Sequence, residues 1–286
     1  MAHTPMIRAP ESGRRHSAKG IPMSNTFINS QWRPRALLAC HLLAALLLLS
    51  WLWQPTRDLW DGFDLWLFQL LNDPVHAAGL WAKVWAIGSM RPVDLGVGVV
   101  MLAVMLKADL VFQGHQVRRA LFAFLTALLA LLLLRVGFAE LVKVMGWQRP
   151  SASLVVEGSA RLTELFPDWE ERWDMKDSAS RSFPGDHASV LLIWALFMSF
   201  FARNWRLLLV WAIAVIGMLP RLVAGAHWGS DAFVGGVFLS LLALAWSCYT
   251  PLGYRASEWL EKVTLPLTSR LAKLPLLGRM SIVSGR

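Results

Sequence analysis

The chain has 286 residues, of which 56% are hydrophobic and only 16% charged, with 16 Trp and a net charge of +9. That composition excludes an ordinary soluble domain and indicates an integral membrane protein. The basic excess does not point to nucleic acid, because it sits beside apolar runs, where Lys and Arg suit an anionic leaflet.

Residues 1–30 are polar, rich in Pro, Gly, Ser and Arg, and read as a flexible cytoplasmic tail before a membrane domain over 31–250. The first apolar run, Ala36 to Trp53, continues into "WLWQP" instead of a small-residue cleavage site, so a retained anchor is expected. Next, "LWDGFDLWLFQLLNDP" sets Trp, Phe and Leu at helical spacing with Asp61, Asp64 and Asp73 interleaved. This predicts an amphipathic helix lying on the outer membrane surface.

Further apolar runs cover Val93 to Leu106, Ala120 to Leu134, Ala188 to Ala202, Leu207 to Leu219 and Ala232 to Cys248. Several fall short of the roughly 20 residues that cross about 30 Å of hydrocarbon, so flanking Trp, Gly and snorkelling Arg must complete them. The prediction is an all-α, polytopic protein with six spans. A loop from about Ser151 to Ser182 carries seven acids and is long enough to suggest function or packing over a site. Residues 251–286 scatter basic residues among Leu and Val, as expected of a cytoplasmic amphipathic tail on the inner leaflet.

With six spans and the N-terminus inside, the cytoplasmic segments hold 17 of 28 basic residues and four acids. The positive-inside bias then places both termini in the cytoplasm. Cys40 and Cys248 both fall in apolar runs, which indicates neither a disulfide framework nor a thiolate metal site.

Three polar clusters adjoin the spans, all at the outer face by this topology, and ionisable residues in that setting default to functional candidates. They are "KVMGWQRP" with Lys143 and Arg149, "PGDH" with Gly185, Asp186 and His187, and "PRLVAGAHWGSD" with Arg221, His227 and Asp231. Two guanidinium forks and an ammonium suit an anion with several oxygens, so the expected ligand is a phosphate. His187 opens a helix whose unpaired N–H groups and dipole favour the same anion. His227 and Asp231 are four apart, so the carboxylate can accept from one ring nitrogen and leave the other free for attack or proton transfer. Taken singly, each has a plainer reading: an interfacial His, a snorkelling Arg221, an N-cap for Asp186. Three neighbouring cations oppose a divalent ion, and neither metal nor other cofactor is expected.

"RLVAGAHWGSD" fits the arginine, five residues, histidine, three residues, aspartate signature and resembles the type 2 phosphatidic acid phosphatase superfamily. That family consists of six-helix membrane enzymes working through a phosphohistidine. Two positions depart from its pattern. Five residues, Val144 to Gln148, separate Lys143 from Arg149 and Pro150 where six are usual, and "PGDH" replaces Pro-Ser-Gly-His. "RLTELF", "KDSASRSFPGDHASVLLIWALFM" and "MLPRLVAGAHWGSDAFVGG" resemble a branch, the bacterial inner-membrane lipid A phosphotransferases.

The resemblance implies His227 as nucleophile oriented by Asp231, His187 as general acid and base, and Arg149, Arg221, Lys143, Gly185 and Asp186 around the phosphate. It also implies an undecaprenyl diphosphate donor, a lipid A acceptor and a periplasmic active site among membrane lipids. The alternatives are a hydrolase using the same phosphohistidine, and a non-catalytic lipid-binding protein. No protein partner is legible.

Overall fold

The computed structural model describes residues 31–271 and 273–274. The expected tail 1–30 and the end of the basic tail lie outside the described residues. Those described residues contain α1 (Pro34–Leu52), α2 (Gln54–Asn72), a 3-10 turn (Asp73–Ala77), α3 (Leu80–Gly88), α4 (Arg91–Leu106) and α5 (Gly114–Val144). Three short helices follow, α6 (Ala152–Val155), α7 (Leu162–Leu165) and α8 (Pro167–Trp173). Then come α9 (Asp186–Ser199), α10 (Trp205–Val223), a π-helical turn (Asp231–Gly236) running into α11 (Val237–Cys248), and α12 (Pro251–Leu271). The architecture is that of an all-α membrane protein.

Each predicted span has its helix, but the boundaries shift. α1, α5, α10 and the continuous stretch Asp231–Cys248 are long and apolar enough to cross a membrane. α5 runs to 31 residues, well beyond the expected apolar run, because Gly114 to Arg119 and Arg135 to Val144 continue the helix in polar and mixed sequence. α9, by contrast, has only 14 residues and α4 has 16.

α9 is the centre of the bundle. Its sequence after His187 is apolar on every side, so it has no wet face to present and is packed all round. Ile193, Trp194, Ala195, Phe197 and Met198 are buried in the main core with Leu131 of α5 and Val210 and Ala214 of α10. α11 fills the remaining sides, packing against α1, α5 and α9, and α12 lies along α5.

α2 keeps Asp61 exposed, as expected of a surface helix, but turns two polar residues inward. Asp64, Phe68 and Asn72, spaced i, i+4, i+8, face the protein and are buried, while Leu59, Trp66 and Leu70 are exposed. Polar groups point inward because partners wait there. Asn72 donates to the carbonyls of Ala160 and Val223 and accepts from the Ala160 N–H at 2.9 Å. The acidic loop is thereby tied to α2, and its Asp177 is consumed internally by Arg161 and Thr163.

Candidate active site

The site forms where the loop after α5, the N-terminus of α9, the end of α10 and the turn before α11 meet. Its chemistry starts at His227. The Nδ1 of His227 lies 2.9 Å from the Ser182 carbonyl oxygen and 3.4 Å from Asp231 Oδ2. A carbonyl can only accept, so Nδ1 carries the proton and Nε2 presents a lone pair. Nε2 has no hydrogen-bond partner among the described residues. The i, i+4 pairing read from sequence is therefore present but secondary, and the Ser182 carbonyl is the closer orienting group.

Asp231 is fully buried and mainly organises its surroundings. Its Oδ2 accepts from the Trp228 N–H at 2.8 Å, and its Oδ1 accepts from Arg149 Nη2 at 2.8 Å. Arg149 also donates to Asp64 Oδ2 at 2.9 Å and to Ser230 Oγ at 2.5 Å. Its guanidinium lies 5.5 Å from the ring centroid of Trp51 and 5.3 Å from that of Trp228, a double cation–π contact. Burial lowers the Arg149 pKa, but the carboxylates of Asp231 and Asp64 outweigh it and hold the group above the ordinary arginine value.

Asp64, read from the sequence only as one of the acids interleaved in a surface helix, is the second carboxylate on Arg149. Its oxygens accept from the Ser230 N–H at 2.6 Å and the Ser230 hydroxyl at 2.7 Å, as well as from Arg149. It caps the start of the last helical stretch from a different helix, satisfying an N–H that has no partner within that stretch. Burial pushes the Asp64 carboxyl above the usual aspartate range, against the pull of Arg149 and the Ser230 donors.

Arg221 sits in a second knot. Its Nη1 donates to the carbonyls of Ser89 and Lys176, both at 3.0 Å, and its Nη2 pairs with Asp94 of α4. Only 6% of the side chain is exposed, which removes the snorkelling reading. The same Asp94 is 3.9 Å from His187 Nε2, and that nitrogen donates to the Gly217 carbonyl at 3.0 Å. His187 is thus held through Nε2, and Nδ1 is the nitrogen left for proton exchange. The Arg221 carbonyl accepts from the His227 N–H at 3.2 Å, which joins the two knots.

Two expectations change. Asp186 is not the N-cap of α9: that position is Gly185, and Asp186 is the first helical residue. Its side chain turns away to pair with Arg135 in the middle of α5. The Gly185 N–H donates to the Asp231 carbonyl at 3.1 Å, and a Cβ at Gly185 would meet that oxygen at 2.8 Å. Glycine is needed there because two backbones touch. Lys143 is not brought into the cluster. It is 56% exposed and lies 3.7 Å from Glu140. α5 terminates just beyond it through Gly146 in the left-handed region (φ 67°), with the Trp147 N–H returning to the Val142 carbonyl, and this reversal leaves Lys143 on the outer side.

The structure therefore joins His187, His227, Asp231, Arg149, Arg221, Gly185 and Asp186, and adds Asp64, Asp94, Ser182, Ser230 and Arg135. The signals for the missed residues were faint. Asp64 and Asn72 share a helical face with Phe68, Asp94 sits in the first turn of an apolar helix, and Arg135 directly follows an apolar run.

Comparison with known proteins gives the chain a matching superfamily and a relative. Residues 120–254 match the PAP2 superfamily. The chain is 29% identical over 226 residues, 78% of its length and 90% of the relative's, to lipid A 1-diphosphate synthase of Escherichia coli (strain K12). No solved structure matches. Asp64 and Asp94, the carboxylates opposite the two arginines, fall outside the matched superfamily segment.

Proposed function

We propose that this chain, a membrane enzyme acting on phosphate groups through its PAP2 superfamily domain, is a phosphotransferase that moves the terminal phosphate of undecaprenyl diphosphate onto phosphorylated lipid A. The products are a lipid A diphosphate and undecaprenyl phosphate. The observation that carries the reading is His227, whose Nδ1 is fixed by the Ser182 carbonyl, whose Nε2 has no hydrogen-bond partner among the described residues, and whose ring shares Asp231 with Arg149. The similarity to a lipid A 1-diphosphate synthase supports a diphosphate product, and makes the 1-phosphate the first acceptor position to test.

In this reading the Nε2 lone pair attacks the terminal phosphorus. A P–N bond forms, the bridging P–O bond breaks, and its electron pair leaves with the lipid-linked phosphate. Arg149 and Arg221 face the non-bridging oxygens, whose charge is spread in a loose transition state. An oxygen of the acceptor phosphate then attacks phosphorus, and the P–N electrons return to Nε2. His187 supplies and withdraws protons where needed. Both leaving group and acceptor are phosphates, so proton transfer matters less than in a monoester phosphatase. The exchange trades one diphosphate bond for another and requires no nucleotide.

With both termini cytoplasmic, the site opens to the periplasmic face of the inner membrane, where the carrier lipid is recycled. Residues 31–250 form the catalytic domain and α12 rests on the inner leaflet. Purified protein with labelled undecaprenyl diphosphate, with and without lipid A, tests the proposal. Label in lipid A supports it, whereas free phosphate as the sole labelled product makes the protein a phosphatase.

A further inference from the structure

Three arginines are paired with carboxylates in the site or beside it: Arg149 with Asp64 and Asp231, Arg221 with Asp94, and Arg135 with Asp186, the residue before His187. They differ in what they have left to give. Four donor contacts engage Arg149 and three engage Arg221, and their side chains are 14% and 6% exposed. Arg135 makes a single contact among the described residues and is 36% exposed. Its remaining N–H groups are available to a ligand.

The carboxylates differ in the same sense. Asp64 and Asp231 are buried and cannot yield, whereas Asp186 is 49% exposed, the most open of the four. Arg135 follows directly on the apolar run that ends at Leu134, level with the start of α9, because its partner Asp186 is the first residue of that helix. An unpaired cation there would be costly, which explains a carboxylate partner but not why the pair is left accessible. The pair adjoins the chemistry, since Asp186 precedes His187 and the next residue back, Gly185, is bonded to Asp231.

We infer that Arg135 is an anion-binding residue held in reserve by Asp186, and that it receives the second phosphate of a diphosphate ligand, the one that stays on the departing lipid. A diphosphate displaces Asp186 and takes the fork of Arg135, while Arg149 and Arg221 face the phosphate that is transferred. As the bridging P–O bond breaks, the electron pair goes to the oxygen nearest Arg135. A monophosphate does not reach this cation.

The inference rests on the phosphotransfer reading but is tested apart from it. Binding of inorganic pyrophosphate and of inorganic phosphate to the full-length protein in detergent is measured for the wild type, Arg135→Gln and Asp186→Asn. Arg135→Gln should weaken pyrophosphate binding at least tenfold and change phosphate binding less than twofold. Asp186→Asn, which leaves Arg135 in place without its carboxylate, should tighten pyrophosphate binding. Equal weakening of both anions by Arg135→Gln, or unchanged or weaker pyrophosphate binding by Asp186→Asn, overturns the inference. If Arg135→Gln does not fold, Asp186→Asn alone decides it. A protein that keeps the pyrophosphate preference but transfers no phosphate to lipid A sinks the functional proposal and leaves the role of Arg135 standing.

Discussion

Arg149 Nη1 lies 2.9 Å from Asp64 Oδ2, bridging 85 residues of chain and joining the loop after α5 to a helix outside the matched superfamily segment. One carboxylate thereby fixes both the Arg149 guanidinium and, through Ser230, the turn that carries Asp231.

Removing Asp64 should be felt first in stability. Asp64→Ala leaves Arg149 short of a partner and the Ser230 N–H uncapped, and breaking a buried ion pair costs on the order of 3–5 kcal/mol. Asp64→Asn keeps an acceptor for Ser230 and should lose less. Thermal unfolding in detergent distinguishes them, and equal stability of Asp64→Ala and wild type would remove the anchor role.

His227→Ala should abolish phosphate transfer and any acid-labile phosphoprotein intermediate. His187→Ala should cost less than the roughly 10²–10⁴-fold that a general acid usually supplies, because the leaving group is itself a phosphate. Single-turnover transfer with labelled donor measures both, and equal abolition would contradict the account.

Arg221→Lys should fail to rescue transfer. A single ammonium cannot reproduce a planar fork that reaches the Ser89 and Lys176 carbonyls and Asp94 together. Lys143→Ala, at an exposed position beside Glu140, should alter transfer little. Comparing kcat/KM for the two variants checks both outcomes.

Gly185→Ala should lower kcat by about 10²-fold, the effect of misplacing a reacting group by roughly 1 Å. The added methyl would sit 2.8 Å from the Asp231 carbonyl oxygen and push α9, with His187, away from His227. An unchanged kcat would mean that the two backbones can separate without consequence.

Metal chelation should leave activity intact. The carboxylates of the site are engaged by arginines, and among the described residues no group of three or more His, Cys, Asp or Glu is placed to hold a metal ion. Activity lost in a chelator and restored by a divalent ion would contradict this.

Composition and hydropathy alone determined that this is a helical membrane protein and roughly where its spans lie, because hydrocarbon admits little besides apolar helices. Motif spacing likewise singled out Arg149, His187, Arg221, His227 and Asp231, since their types and intervals are unusual beside apolar runs, and with them Lys143, which the fold leaves outside the cluster. Sequence could not say which carboxylate serves which arginine. Asp64, Asp94 and Asp186 look alike in one dimension: an acid beside a helix is as readily a cap or a wet-face residue as the partner of a buried cation. Their partners lie 85, 127 and 51 residues away, and only the packing of α2 and α4 against α10, and of α5 against α9, brings them within reach. The same packing replaced Asp231 with the Ser182 carbonyl as the closest support of His227, because a backbone acceptor leaves no trace in the pattern of side chains.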